Sequence, residues 1–292
     1  MINYHEPLFR PPSEALSLIL QITLGCAWNQ CAFCEMYSSK QFKIRKEEAI
    51  FADIESLSRY ADRYRKVFLA DGNAMVLSFD KLSRILDQLQ TSFPRLTRVS
   101  AYALPKDIEA KSDKELQLLA QKGLKLLYVG IESGDDELLH RIHKGENFAS
   151  TSHALQRARK AGIKLSVMII NGLGGKNYSQ QHALESARII NEIQPEFLST
   201  LVLSFPYGEE HFQNKFEGDF IPLNPIELIA EMRIFIEKLE LSQSIFRSDH
   251  ASNYLVLRGN FPRDKQEMLK RIDAVIKDPA NARLRLERMR GL

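Results

Sequence analysis

The three cysteines of this 292-residue chain all lie within a stretch of nine residues, in the segment LGCAWNQCAFCEMY at positions 24–37. Cys26, Cys31 and Cys34 follow a C-x4-C-x2-C spacing. Clustered thiolates bind metal ions and iron–sulfur clusters, whereas three cysteines in a chain of this length do not build a disulfide framework. The segment therefore predicts a metal centre.

Several kinds of thiol site could account for the cysteines of this segment. A structural zinc site needs four ligands, and the fourth would have to be a histidine that is distant in sequence. A redox C-x2-C pair leaves Cys26 without a role, and buried structural thiols do not explain three cysteines in one loop. A four-iron cluster on three thiolates keeps one iron open to a ligand that is not protein. This arrangement favours chemistry at the cluster over electron carriage alone.

Apolar strands alternate with amphipathic helices along most of the chain. The predicted strands are Leu16–Leu24, Lys66–Ala70, Arg98–Tyr102, Lys125–Ile131, Lys164–Ile170 and Phe197–Leu203. The predicted helices between them are 46–64, 80–91, 112–122, 135–143, 148–161 and 179–192. Such alternation implies parallel strands with right-handed crossovers, and hence an α/β barrel or an open doubly wound sheet.

Polar and glycine-rich residues follow the predicted strands. The cysteine segment comes after the first strand, Asp71-Gly72-Asn73 after the second, Glu132-Ser133-Gly134 after the fourth and Asn171–Gly175 after the fifth, while Tyr102 ends the third. Functional groups of parallel α/β folds collect at the carboxyl ends of the strands. We therefore expect these loops to form a site.

Composition and charge exclude several classes of protein. Hydrophobic residues make up 44% and charged residues 26% of the chain, which are ordinary values for a soluble protein. The formal charge of +3 gives no indication of a nucleic-acid partner. No apolar run approaches the roughly 20 residues of a membrane span, and the N-terminus lacks the pattern of a secretory signal. We predict a soluble, cytoplasmic protein.

The cysteine segment, with Phe33 directly before Cys34, and the βα series that follows resemble the radical S-adenosylmethionine (SAM) superfamily over about residues 16–205. The segment LYVGIESGDDELLHRIHKG at 127–145 is similar to the branch of coproporphyrinogen dehydrogenases, methylthiotransferases and Elongator-type enzymes. The first cysteine gap is one residue longer than the common C-x3-C-x2-C spacing. The resemblance implies a partial (βα)6 TIM-like barrel of parallel strands at 16–205, between an N-terminal lead-in at 1–15 and a small helical C-terminal extension at 206–292 that closes the barrel mouth.

The resemblance also implies cofactors: one [4Fe–4S] cluster on the three cysteines, with SAM on the open iron. The residues that it places at SAM are Phe33, Asp71, Gly72, Asn73, Glu132, Ser133, Arg141, Ser166, Gly172 and Leu173. Three of these assignments have a structural alternative that does not involve SAM. Asp71-Gly72 is also an ordinary turn sequence, Arg141 could face solvent, and Ser166 could be satisfied within the core.

The segment after residue 206 predicts helices at 225–240 and 263–277, with an irregular stretch at 242–259 between them. Tyr102, Asp249, His250 and Asn253 are candidates for a substrate pocket. The RSDHASN sequence at 247–253 either closes the barrel mouth or forms a hydrogen-bonded structural loop. The arginine-rich tail at 282–290 predicts a solvated helical face or a contact with an acidic partner.

The resulting hypothesis is an enzyme that reductively cleaves SAM to a 5′-deoxyadenosyl radical. The substrate is expected to be a small molecule or cofactor precursor, and the electron donor a flavodoxin- or ferredoxin-like protein. Two alternatives remain open at this point: a radical SAM enzyme that modifies RNA nucleotides, and a non-catalytic iron–sulfur or zinc-binding protein.

Overall fold

The computed structural model describes residue 2 and residues 4–290, and it shows an α/β chain with a mainly parallel eight-stranded sheet. The strands are β1 (Leu18–Gln21), β2 (Thr23–Leu24), β3 (Lys43–Ile44), β4 (Lys66–Ala70), β5 (Arg98–Tyr102), β6 (Leu124–Glu132), β7 (Lys164–Asn171), β8 (Phe197–Val202), β9 (Ser244–Ser248) and β10 (Leu257–Phe261). The helices are α1 (Glu47–Ser58), α2 (Phe79–Ser92), α3 (Pro105–Glu109), α4 (Asp113–Gln121), α5 (Asp136–Arg141), α6 (Phe148–Lys160), α7 (Gly175–Ile193), α8 (Glu209–Gln213), α9 (Pro225–Lys238) and α10 (Lys265–Lys277). The predicted α/β class with parallel strands is confirmed.

The chain divides into two compact units that interleave in sequence. The first unit comprises the chain up to Asn29 together with Cys34–Val129 and His153–Leu165. The second unit comprises Gln30–Phe33, Gly130–Ser152 and the chain from Ser166 onward. The cysteine segment therefore contributes Cys26 and Cys34 to the first unit and Cys31 to the second.

Parallel strands form the core of the first unit, where β4 pairs with both β1 and β5, and β5 pairs with β6. Helix α4 begins with a capping box, in which the Ser112 hydroxyl accepts from the Glu115 N–H and the Glu115 carboxylate accepts from the Ser112 N–H. The short strands β2 and β3 pair antiparallel on either side of the cysteine segment. This pairing brings the two ends of that segment close together.

The second unit contains β7, β8, β9 and β10, with β8 parallel to β7 and β9, and β10 antiparallel to β9. Strands β9 and β10 correct the sequence analysis, which assigned 242–259 to an irregular stretch. In β9 the buried positions include Ser244 and Ser248, while Ile245 is exposed. The apolar alternation that identifies a half-buried strand is therefore missing from its sequence.

Candidate functional site

The cysteine segment is an irregular loop in which Cys26, Cys31 and Cys34 are present as partly exposed thiols. Two of its residues have left-handed backbone angles, Gly25 with φ of 72° and Asn29 with φ of 51°. Glycine and asparagine tolerate this conformation better than other residues do. The local sequence thus permits the tight turns that gather three thiols into a short stretch.

Asp71, directly after β4, fixes both ends of the cysteine loop. Its side chain is completely buried, and its Oδ2 accepts hydrogen bonds from the Gly25 N–H at 3.0 Å and from Lys40 Nζ at 2.8 Å. Its Oδ1 accepts from Gln21 Nε2 at 3.1 Å. Gly25 precedes the first cysteine and Lys40 follows the last, so a single carboxylate joins the two ends. No local sequence pattern indicated this role for Lys40.

Gly72 packs directly against the start of the cysteine loop. Its N–H donates to the Gly25 carbonyl at 3.2 Å, and a Cβ placed on Gly72 would lie 3.1 Å from the Cα of Cys26. A larger residue at this position would require the cysteine loop or its neighbours to shift. The amide group of Asn73, the next residue, donates to the Asp107 carboxylate. The Asp71-Gly72-Asn73 loop is therefore built against the cysteine segment.

Tyr102, at the end of β5, lies in an aromatic cluster. Its ring makes edge contacts with Phe68 at 5.2 Å and with Tyr128 at 6.1 Å between centroids. Burial raises the pKa of the Tyr102 phenol, so the group stays neutral at physiological pH. The Tyr128 hydroxyl donates to the buried Glu14 carboxylate at 2.6 Å. Tyr102 itself is half-buried.

Glu132, the last residue of β6, is a buried carboxyl group with one unpaired oxygen. Its backbone is left-handed, with φ of 68°. Its Oε1 accepts from Lys144 Nζ at 3.2 Å, while Oε2 has no hydrogen-bond partner among residue 2 and residues 4–290. Desolvation raises the pKa of this carboxyl group despite the Lys144 charge. Lys144, which the sequence analysis missed, also lies 5.8 Å from the Phe33 ring centroid.

Ser133 and His182 form a buried hydrogen-bonded relay in which the tautomer of the imidazole is determined. His182 Nε2 lies 3.0 Å from the Ile170 carbonyl oxygen, so this nitrogen carries the proton and donates. Nδ1 then accepts from the Ser133 hydroxyl at 2.8 Å. The Ser133 oxygen in turn accepts from the Asp135 N–H at 3.0 Å. Burial lowers the pKa of His182 to about 4, which keeps the imidazole neutral.

Gly134 allows its loop to approach helix α7. Its N–H donates to Ser186 Oγ at 3.1 Å. A Cβ at this position would lie 2.1 Å from the Glu185 carbonyl oxygen, a distance that no side chain tolerates. The glycine in the Glu132-Ser133-Gly134 loop is thus required by packing on α7.

The loop after β7 is attached to α9. The Gly172 N–H donates to Glu231 Oε1 at 2.6 Å, and Leu173 is fully buried in an apolar cluster. The carboxyl group of Glu231 is itself buried, and desolvation raises its pKa to about 7. Ser166, earlier on β7, is only half-buried. The loop is shorter than predicted, because α7 begins at Gly175 and not at 179.

Arg141 makes contacts within the second unit. Its Nη2 lies 2.7 Å from Glu137 Oε1, and Nη1 donates to the backbone carbonyl of Glu217. The guanidinium also lies 5.0 Å from the Tyr178 ring centroid. Its Nε is buried and has no hydrogen-bond partner among the residues that the structure describes. The side chain is therefore held in place rather than directed to solvent.

The RSDHASN segment is a hydrogen-bonded loop between β9 and β10. Asp249 pairs with Arg258 at 2.7 Å, and His250 Nδ1 lies 2.9 Å from Ser252 Oγ. Asn253 is buried, and its Nδ2 donates to a β8 carbonyl at 3.0 Å. Of the two roles that the sequence analysis left open for this segment, these contacts match the hydrogen-bonded structural loop.

The arginine-rich tail corrects the prediction of a solvated helical face, since only a short 3-10 turn at Glu287–Met289 is helical within 282–290. Arg285 donates to three backbone carbonyls of the RSDHASN loop, those of His250, Ala251 and Asn253, at 2.6–3.1 Å. Arg290 is buried, donates to the Ser252 carbonyl at 2.9 Å and stacks on Tyr254 at 4.1 Å. Both arginines therefore donate hydrogen bonds to backbone carbonyls of the loop.

Comparison with known families decides the identity of this fold. The sequence model of the radical SAM superfamily matches residues 20–187, which is more than half of the chain. The chain belongs to the radical SAM superfamily. The matched segment contains all three cysteines and the Asp71, Glu132 and Gly172 loops.

Relatives of this radical SAM protein are distant. The haem chaperone HemW of Bacillus subtilis is 23% identical over 179 residues, which cover 60% of this chain and 46% of HemW. The oxygen-independent coproporphyrinogen III oxidase of Helicobacter pylori is 22% identical over 244 residues, covering 80% and 52%. The solved structure of coproporphyrinogen III oxidase (HemN) from Escherichia coli has a TM-score of 0.57 at 17% identity, covering 76% and 52%. The chain thus spans about half the length of the curated relatives it matches.

Radical SAM enzymes use a [4Fe–4S] cluster and SAM, and the type and number of donors in the cysteine loop fit that chemistry. Three thiolates on one short loop are the donor set that a cluster with one open iron requires. In the first unit, the Gly72 backbone lies close to Cys26. In the second unit, the Glu132 carboxyl group has one oxygen without a partner among the described residues. Among the described residues, no three His, Cys, Asp or Glu side chains are grouped as they would be around a metal ion. In the same part of the chain, no helix has the length and hydropathy to cross a membrane.

The His182 and Glu231 pair predicts opposite pH dependences of stability in two variants of this radical SAM protein. Glu231 has a pKa of about 7 in the fold against 4.5 ordinarily, so its contribution to the unfolding free energy falls as pH rises through that window. His182 has a pKa of about 4 against 6.5, so its contribution rises with pH between those values. We expect the unfolding free energy of Glu231→Gln to rise from pH 4.5 to 6.5 and that of His182→Gln to fall.

Urea unfolding of the apoprotein at several pH values measures both effects. Each group changes the unfolding free energy by up to about 3 kcal/mol between its ordinary pKa and its pKa in the fold. The difference between each variant and the wild type isolates one group, because the other titrating groups are common to all three proteins. Parallel pH profiles for all three proteins would contradict these assignments.

Proposed function

We propose that this chain is an enzyme that reductively cleaves SAM at a [4Fe–4S] cluster held by Cys26, Cys31 and Cys34. The resulting 5′-deoxyadenosyl radical acts on a small-molecule or cofactor-precursor substrate. The observation that carries this proposal is the three-thiol loop whose ends are joined by the buried Asp71 carboxylate, inside the segment that matches the superfamily. We further propose a cytoplasmic location and a flavodoxin- or ferredoxin-like electron donor.

Residues that contact the two ends of the cysteine loop support the proposed cluster site. Asp71 and Lys40 set the ends of the cysteine loop, and Gly72 packs against Cys26, so the thiols are presented by a constrained backbone. Constraint of this kind lowers the ordering cost of binding. When bound, the cluster supplies the electron that cleaves the sulfonium of SAM.

Several other residues carry groups suited to the polar parts of SAM. Glu132 Oε2 is unpaired in the described residues, and a buried acceptor without a donor is stabilised by a ligand hydroxyl or ammonium group. The buried Nε–H of Arg141 has no partner among the described residues and suits a carboxylate. Backbone groups of Gly172 and Leu173 line the loop that we assign to adenine. Phe33, Asn73, Ser133 and Ser166 remain proposed contacts of SAM.

The proposed substrate class is a small molecule. Two relatives are named for haem and coproporphyrinogen III, which are small molecules, and the formal charge of +3 offers little attraction for RNA phosphates. Tyr102, Asp249, His250 and Asn253 are the proposed substrate residues. Of these, Tyr102 is half-buried, while Asn253 donates a hydrogen bond to a carbonyl of β8.

The experiment that tests this function measures 5′-deoxyadenosine and methionine after anaerobic reconstitution with iron and sulfide, in the presence of dithionite and SAM. We expect both products in equal amounts. A small-molecule filtrate of a cell extract should increase their rate of formation, whereas an RNA fraction of the same extract should not. Stimulation by RNA alone would transfer the assignment to RNA modification, and absence of cleavage would refute the proposal.

A further inference from the structure

Glu231 lies on α9, outside the segment that matches the superfamily, yet its side chain contacts a loop of that segment. It is 2% exposed, and its Oε1 accepts from the Gly172 N–H at 2.6 Å. The carboxyl group also accepts from the Ser179 hydroxyl. Its Oε2 is buried without a partner among the residues described. Burying such a group costs free energy, so its position is not explained by fold stability alone.

Helix α9 contacts the loop after β7 at further points. Asn171 Nδ2 donates to the Leu228 carbonyl at 2.8 Å. A Cβ on Gly172, whose φ is 81°, would lie 2.5 Å from the Leu228 Cδ2. The loop backbone is thus in direct contact with α9, and the Glu231 hydrogen bond determines where the Gly172 N–H points.

His182 extends this contact to the loop after β6. Its Nε2 lies 3.9 Å from Glu231 Oε1 and donates to the Ile170 carbonyl, at the end of β7. Its Nδ1 accepts from Ser133. Glu231 and His182 thus lie side by side in the interior without a hydrogen bond between them. Glu231 bonds to the loop after β7, and His182 bonds to Ser133 in the loop after β6.

We propose that Glu231 and His182 are positioning residues that hold the Glu132–Gly134 and Asn171–Gly175 loops in the geometry that binds SAM. The segment after residue 206 then supports the cofactor site through Glu231 and is not only a cover for it. This inference rests on the proposed function, because the two loops face SAM only if the chain binds it. Neither residue touches the cofactor itself.

Hydrogen–deuterium exchange of the apoprotein tests the positioning without any cofactor. Glu231→Leu removes the acceptor of the Gly172 N–H, and His182→Leu removes both contacts of the imidazole. We expect amide exchange of peptides that contain 132–135 and 171–175 to become about tenfold faster or more. Glu231→Gln and His182→Gln retain an acceptor and, for His182, a donor as well, and should stay within about threefold of the wild type. Glu237→Leu, an exposed site on the same helix, is the matched control.

Equilibrium binding of SAM to the reconstituted proteins supplies the second measurement. The leucine variants should bind SAM about tenfold more weakly or worse, with the glutamine variants close to the wild type. Should a leucine variant not fold, Ser186→Ala removes the acceptor of the Gly134 N–H with little loss of volume and should increase exchange at 132–135. Unchanged exchange in folded leucine or Ser186 variants would overturn the positioning role. Wild-type protein that fails to bind SAM while exchange responds would refute only the proposed function.

Discussion

Replacement of Cys26, Cys31 or Cys34 by serine is expected to abolish formation of 5′-deoxyadenosine. Three thiolates are the protein ligands of the proposed cluster, and a serine hydroxyl is a poor substitute because it is not ionised at neutral pH. We expect each single variant to hold less than about a quarter of the iron of the wild type after identical reconstitution. Iron analysis and product quantification on the same samples measure both effects.

Ser38→Ala provides the control for the cysteine variants. Ser38 lies on the same loop, and its hydroxyl donates only to the nearby Glu35 carbonyl at 3.0 Å. This variant should retain iron and activity. A cysteine variant with wild-type iron and full SAM cleavage would show that the corresponding thiol is not a ligand.

Asp71→Asn is expected to destabilise the apoprotein and the cluster together. The carboxylate is completely buried and receives hydrogen bonds from Gly25, Lys40 and Gln21, so an amide NH2 in place of one oxygen would face donors. Removing one partner of a buried charge pair costs about 3 kcal/mol or more. Denaturant unfolding measures the stability, and the rate of iron loss to a chelator measures the cluster.

A double-mutant cycle separates the charge pair from general disruption. Lys40→Met combined with Asp71→Asn should be less destabilising than the sum of the single changes, because neither variant residue leaves an unpaired charge. Asp62→Asn, at an exposed position of the same unit, should have little effect. Equal iron retention in wild type and Asp71→Asn would contradict the assignment of Asp71 to the cysteine loop.

The sequence predicted the strands and the chemistry of the cysteine loop because both depend on local patterns. Apolar runs identify β4, β5 and β6, and thiol spacing identifies the cluster segment. Strand β9 was missed because Ser244 and Ser248 occupy its buried positions. A local pattern cannot reveal a serine that is buried through contacts with distant residues.

The residues that support the loops were missed for a related reason. Glu231 lies on the apolar face of α9, three residues after Leu228 and four before Phe235. Its place on that face was the sequence feature that could have indicated a buried carboxyl group. His182 lies on the buried face of α7 in the same way. A polar residue within an apolar stripe is worth examining, but its partner is set by tertiary packing. Asp71 was expected to contact SAM, and its observed bonds are to the ends of the cysteine loop.

The central claim is a four-iron cluster on three cysteines with one iron open to SAM. The most direct measurement is metal analysis of the reconstituted protein combined with electron paramagnetic resonance of the reduced cluster, recorded with and without SAM. The account predicts about four irons per chain and a spectrum that changes when SAM is added. About one zinc per chain, or a four-iron cluster whose spectrum is indifferent to SAM, would contradict it.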